Sequence, residues 1–148
     1  MALDVVTIGK AMRDIILQID QGLTEEDEKR EKIVVKESYL SVGGGAINTA
    51  VSLVKLGYQT APVAVVADDP EGQMIRDRLE RRGVETELLI ENSDLSTGIS
   101  VIVEGKKKKH LAYVFPGVNK FLDLDMIQWK NFQKAKFWYL LSIGNPDP

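Results

Sequence analysis

Gly43-Gly44-Gly45-Ala46-Ile47-Asn48 joins two stretches of opposite character. Residues 33–42 before it read as a strand. After it, Ala46, Ala50, Leu53, Val54 and Leu56 fall close to helical spacing, and Gly57 can stop the chain in a left-handed turn, which predicts a helix over 46–56. Residues 3–8 form an apolar run punctuated by Gly9, and residues 60–67 are almost continuously apolar, the pattern of a strand covered on both faces in a parallel sheet. Asp68-Asp69-Pro70-Glu71-Gly72 is a helix start, with Asp69 as cap, Pro70 in the first turn and Glu71 at the positive end of the dipole. That helix is predicted to reach Arg82, with Met74, Ile75 and Leu79 inward and Gly83 ending it. Asp125 starts a further predicted helix up to Lys134, and a strand follows over 136–143.

The fold class is therefore α/β, a Rossmann-like parallel sheet flanked by helices and joined by right-handed crossovers. Short runs at 15–19, 33–42, 98–103 and 110–115 break the strand–helix rhythm and are expected to form a small separate sheet. The last two flank Glu104-Gly105-Lys106-Lys107-Lys108-Lys109, a hairpin connection, and 87–90 is a further short strand-like run. The charged stretch 25–32 reads as an exposed loop.

Composition narrows the function. The 148 residues suit one domain, and 44% apolar with 28% charged residues is an ordinary globular balance. A net charge of −3 provides no basic field for nucleic acid. With no cysteine, disulfides and thiolate metal sites are excluded, and a cytoplasmic location is the natural reading. No segment has the apolar length of a membrane span, and Met1-Ala2-Leu3-Asp4-Val5-Val6 lacks the basic start of a signal peptide.

Three successive glycines let another group approach the main chain, and free N–H groups at a helix start favour electronegative atoms. Such a loop can hold phosphate, a dinucleotide or a sugar. No Lys-Ser/Thr follows, as a phosphate loop needs, and Asn48 stands where a dinucleotide loop has its last glycine. Asn carries a donor and an acceptor, which suits neighbouring hydroxyls. The same residues also describe a plain tight turn with Asn48 in water. Blander readings suit other residues: His110 and Lys106 to Lys109 as exposed hairpin positions, Asp69 as a cap, and Trp129 and Trp138 as core.

The segment Gly43 to Ala50, with Gly57 beyond it, resembles the first signature of pfkB-type carbohydrate kinases, the ribokinase- and fructokinase-like family. Gly9 and Asp14, Asp68 to Gly72, Ser96-Thr97-Gly98 and Gly117-Val118-Asn119 resemble further family segments, in the family's order. Ala67 stands where the family usually has glycine, Gly45 where ribokinases carry lysine, and Met12 where they carry asparagine. These departures point away from ribose and leave fructokinase-like or other sugars open.

The resemblance implies that residues 1–148 form the N-terminal part of a ribokinase-like domain, with lid strands at about 14–19, 33–42, 98–104 and 110–115. It implies that Asp14, Gly43, Gly44, Gly45 and Asn48 bind substrate, a sugar or nucleoside. ATP and Mg²⁺ are implied for the complete family member, which moves a phosphoryl group from ATP to a sugar hydroxyl. The Gly-Ala-Gly-Asp motif that performs the chemistry is not found here, so neither cofactor is expected to bind this chain alone and no catalytic residue is assigned. The alternative is a sugar-binding or dimerisation module without chemistry. Expected partners are a second copy, through the lid or an open sheet edge, or a chain that supplies the missing half.

Overall fold

The computed structural model describes residues 3–20, 32–106, 110–131, 135–141 and 143. Its elements run β1 (Val5–Ile8), β2 (Met12–Gln18), β3 (Glu37–Gly43), α1 (Gly45–Lys55), β4 (Thr60–Val63), β5 (Val65–Val66), α2 (Pro70–Glu80), β6 (Ile90–Glu91), β7 (Ile99–Glu104), β8 (His110–Phe115) and β9 (Phe137–Leu140). Short 3-10 turns at Gly117–Phe121, Leu124–Met126 and Trp129–Asn131 lie between β8 and β9.

β1 is the centre of a parallel sheet ordered β4-β1-β9. All four of its residues are buried, as its run of apolar and β-branched side chains requires. Pro62 in β4 faces no loss of a ladder bond, because among the described residues β4 has β1 as its only neighbour in this sheet. At Ala64 the chain leaves that sheet, and β5 pairs in parallel with β6. Helix α1 buries Ala46, Ile47 and Ala50, and the buried hydroxyl of Thr7 on β1 donates to Ala46 O at 2.9 Å, fixing the helix start to the central strand. These residues join Ala11, Ala64, Val66, Ile75, Leu79 and Val84 in one apolar cluster between the helices and the strands.

The four runs outside the strand–helix rhythm form one sheet, ordered β3-β2-β7-β8. It is mixed: β2 pairs antiparallel with β3 from Met12↔Gly43 to Gln18↔Glu37 and parallel with β7, and β7 and β8 form a hairpin. Tyr39, Leu40, Leu111, Tyr113, Val114 and Phe115 are all substantially exposed on it.

Helix α2 begins as its sequence dictates. The Asp69 side chain accepts from Gly72 N at 2.7 Å, Pro70 opens the helix, and Gly83 at φ 73 follows its end. Ile75 and Leu79 are buried, but Met74 is 37% exposed: the position next to Ile75 is turned about 100° round the axis, and only one of the two can face the core. The predicted helix from Asp125 to Lys134 is replaced, over the described residues, by two short 3-10 turns. The run at 87–90 contributes only Ile90 to a two-residue strand. Trp129 is partly buried, but Trp138 is 49% exposed, because β9 is the outer strand of its sheet; the two rings meet at 5.4 Å. The loop at 25–31, the lysines at 107–109 and residues 144–148 lie outside the described residues.

Candidate functional site

The glycine bend sits where the two sheets meet. β1 ends at Ile8, the chain turns through Gly9, Lys10 and Ala11, and β2 starts at Met12 opposite Gly43. Gly44 has φ 97, and a Cβ there would overlap Lys10 O and stand 2.7 Å from Lys10 C. Glycine is thus required for two reasons, the left-handed backbone and the close approach of the β1–β2 turn. Gly44 O then accepts from Asn48 N at 3.0 Å as α1 begins.

Asp14 lies over this bend. A Cβ on Gly43 would overlap Asp14 Oδ2 and stand 3.1 Å from its carboxyl carbon. The carboxylate is half-buried, and no hydrogen-bond donor among the described residues reaches it. Burial pushes its pKa above the usual 3.8, against a smaller opposing pull from the Arg13 guanidinium. Arg13 itself is buried and donates to Ser41 O at 3.0 Å. A partly desolvated carboxylate without a partner is costly in the free protein and is open to donors from outside.

Asn48 is on the first turn of α1, exposed, and its side chain makes no hydrogen bond to the described residues. It borders a small groove between α1 and α2, and no hydrogen bond joins it to Asp14. The bend therefore brings Asp14 against Gly43 and the β1–β2 turn against Gly44, with Gly45 starting the helix and Asn48 on its first turn.

Two residues quoted in the sequence without a role prove to fix this geometry. Asn119 is fully buried; its Oδ1 accepts from Ala11 N at 3.0 Å, and its Nδ2 donates to Ala11 O at 2.8 Å and Pro116 O at 3.0 Å. It pins the β1–β2 turn, and hence the approach to Asp14, to the segment after the β7–β8 hairpin. Thr97, also fully buried, pins the other end of that hairpin. Its N–H and hydroxyl each donate to Asp69 at 2.7 Å, and the hydroxyl accepts from Ala67 N at 2.9 Å. Burial alone would raise the Asp69 pKa, but the two bonds from Thr97 and the one from Gly72 outweigh it and hold the carboxyl below its ordinary value. The stability these bonds confer is present above the ordinary carboxylate pKa and is lost as pH falls through the depressed folded value. Asp69→Ala removes a helix cap and both hairpin bonds, so a loss of about 3 kcal/mol is expected in chemical denaturation at pH 7. That loss should shrink at acid pH.

The strand–glycine–helix core with a mixed sheet beside it is the ribokinase-like fold. A ribokinase of Thermotoga maritima superposes with a TM-score of 0.77 at 25% identity, over 92% of this chain and 44% of that one. The ribokinase of Arabidopsis thaliana complexed with ribose and ATP superposes at 0.77 with 23% identity, over 95% of this chain and 45% of that one. In sequence, the fructokinase of Vibrio alginolyticus is 28% identical over 105 residues, 69% of this chain and 33% of its own length. The model of the pfkB family carbohydrate kinases matches residues 2–147, and the chain belongs to that family. It spans less than half the length of each of these relatives.

Proposed function

We propose that this chain is the sugar-binding N-terminal portion of an ATP-dependent carbohydrate kinase. The observation that carries the proposal is the Asp14 carboxylate, half-buried against Gly43 with no donor among the described residues. Two sugar hydroxyls donating to that carboxylate make charge-assisted bonds, stronger than neutral ones, and relieve its desolvation. Gly43, Gly44 and Gly45 give the polyol room against the main chain, and Asn48 supplies an amide from the helix. The β3-β2-β7-β8 sheet acts as the lid, and closing it excludes the water that competes with the sugar hydroxyl for the phosphoryl group. The likeness to a fructokinase and to a ribokinase solved with ribose and ATP supports this assignment.

The nucleotide half of the chemistry is assigned elsewhere. The purified 148-residue chain is expected to phosphorylate no sugar with ATP and Mg²⁺; turnover in a coupled assay would overturn the division of labour. Calorimetric titration with fructose, ribose and adenosine is expected to give a saturable heat with at least one of them, at about millimolar affinity or roughly −4 kcal/mol. No heat from any of the three would refute the sugar site.

The second reading is a binding or dimerisation module without chemistry. The edge of β9 that no described strand covers, its exposed aromatics, and the exposed apolar side chains of β3 and β8 favour self-association. Sedimentation at rising concentration is expected to show a dimer, and a monomer throughout would contradict it. Retained sugar binding with no activity, even beside a chain supplying the missing half, would favour this module over the kinase portion.

A further inference from the structure

We propose that Lys55, Arg78 and Arg82 form a binding site for a phosphate group, free or esterified, in the groove between α1 and α2. The groove encloses about 150 Å³ and is bordered by these three cations together with Ser41, Asn48 and Val51. A groove of that size, open to solvent, has room for a tetrahedral oxyanion.

The charge pattern is unusual for a chain with a net charge of −3. None of the three cations forms an ion pair or a side-chain hydrogen bond with the described residues. The neighbouring carboxylates on α2 are engaged elsewhere: Asp77 accepts from Gln73 at 2.7 Å, and Glu80 accepts from Thr86 at 3.3 Å. Arg76, by contrast, points away and pairs with Glu91 at 3.2 Å. Arg78 is in the last turn of α2 and Arg82 in the turn just past its end, and both border the same groove, where like charges repel. A helix C-terminus favours each cation singly, and Lys55 and Arg78 lie in the last turns of α1 and α2. All three are exposed, and that preference does not gather them round one groove. A dianion at their centre removes the repulsion, and guanidinium forks match the oxygen spacing of phosphate. The Asn48 amide at the rim can donate to the same oxygens. Occupancy would then touch the helix that begins at the glycine bend, yet the inference does not need Asp14 to bind sugar.

The test is backbone NMR on the full chain with three probes at matched ionic strength: inorganic phosphate, fructose 6-phosphate and fructose. Saturable shifts in the amides of residues 45–57 and 75–84 are expected with phosphate, with fructose 6-phosphate, or with both, and which one binds more tightly identifies the source of the group. The Arg78→Ala/Arg82→Ala double variant is expected to weaken that binding at least tenfold, and Arg76→Ala to leave it unchanged. Should the double variant fail to fold, Arg78→Gln and Arg82→Gln are each expected to weaken binding several-fold. No saturable shift with either phosphate compound overturns the site, as does binding that survives in the arginine variants. Fructose reports separately on the Asp14 reading; its failure alongside phosphate binding leaves this site standing.

Discussion

Asn119→Ala is expected to lower stability by about 4 kcal/mol, a large part of the roughly 5–15 kcal/mol available to a domain. The substitution strands Ala11 N and Ala11 O, both buried, leaves Pro116 O with only the backbone N–H of residue 119, and opens a void where a fully buried side chain stood. For a chain of this length, the corresponding fall in Tm is about 8–16 °C. Asn119→Asp should be at least as damaging. It keeps an acceptor for Ala11 N but turns a carboxylate oxygen toward two carbonyls, with no side-chain donor for either. The contrast that tests the account is Asn119→Leu, which fills the space without hydrogen bonds. If Asn119 acts only by volume, Asn119→Leu will be nearly neutral; if it acts as a clasp, Asn119→Leu will be as unstable as Asn119→Ala. A thermal melt of the three variants decides it, and a neutral Asn119→Leu would sink the clasp.

Local chemistry made much of this fold legible. The hairpin strand 110–115 is observed with those bounds, and α1 lies within one residue of its predicted start and end, because glycines bracket it. The sorting of four odd runs into their own sheet followed from their failure to alternate with helices. What sequence could not supply was long-range pairing. Nothing in the spacing of Asp14 and Gly43 puts a carboxylate on a glycine; the β2–β3 register does. Asn119 was visible as a residue in a turn, but its partner Ala11 lies 108 positions away. Met74 and Trp138 were assigned to the core from their apolarity, whereas position round the helix and place at the sheet edge left them in solvent. The segment after Asp125 had a cap but no sustained apolar stripe, and a cap starts a helix without extending it.

Asp14→Asn is expected to stabilise the free protein at pH 7 and to abolish sugar binding. The sign of the first effect follows from linkage. Folding raises the Asp14 pKa, so between the ordinary 3.8 and the higher folded value the native state holds more protons than the unfolded chain. Stability therefore falls as pH rises through that window and stays lowered above it. Asparagine has no charge to desolvate, so its Tm advantage over the wild type should be absent below pH 3.8, grow across the window and level off above it. The second effect has the opposite direction. Hydroxyl donors favour the ionised carboxylate, and replacing it with a neutral amide forfeits charge-assisted bonds of about 1.5–3 kcal/mol each, at least a tenfold loss of affinity. Sugar binding by the wild type should weaken on acidification through the same window in which the free protein gains stability. Gly43→Ala separates geometry from charge. It keeps the carboxylate but sets a methyl against Oδ2, so binding falls while the pH dependence of stability shifts with the displaced group. A group that served only the fold would show neither opposition: if Asp14→Asn lowers Tm at pH 7, or binds fructose and ribose as the wild type does, Asp14 is not a desolvated acceptor held for a polyol.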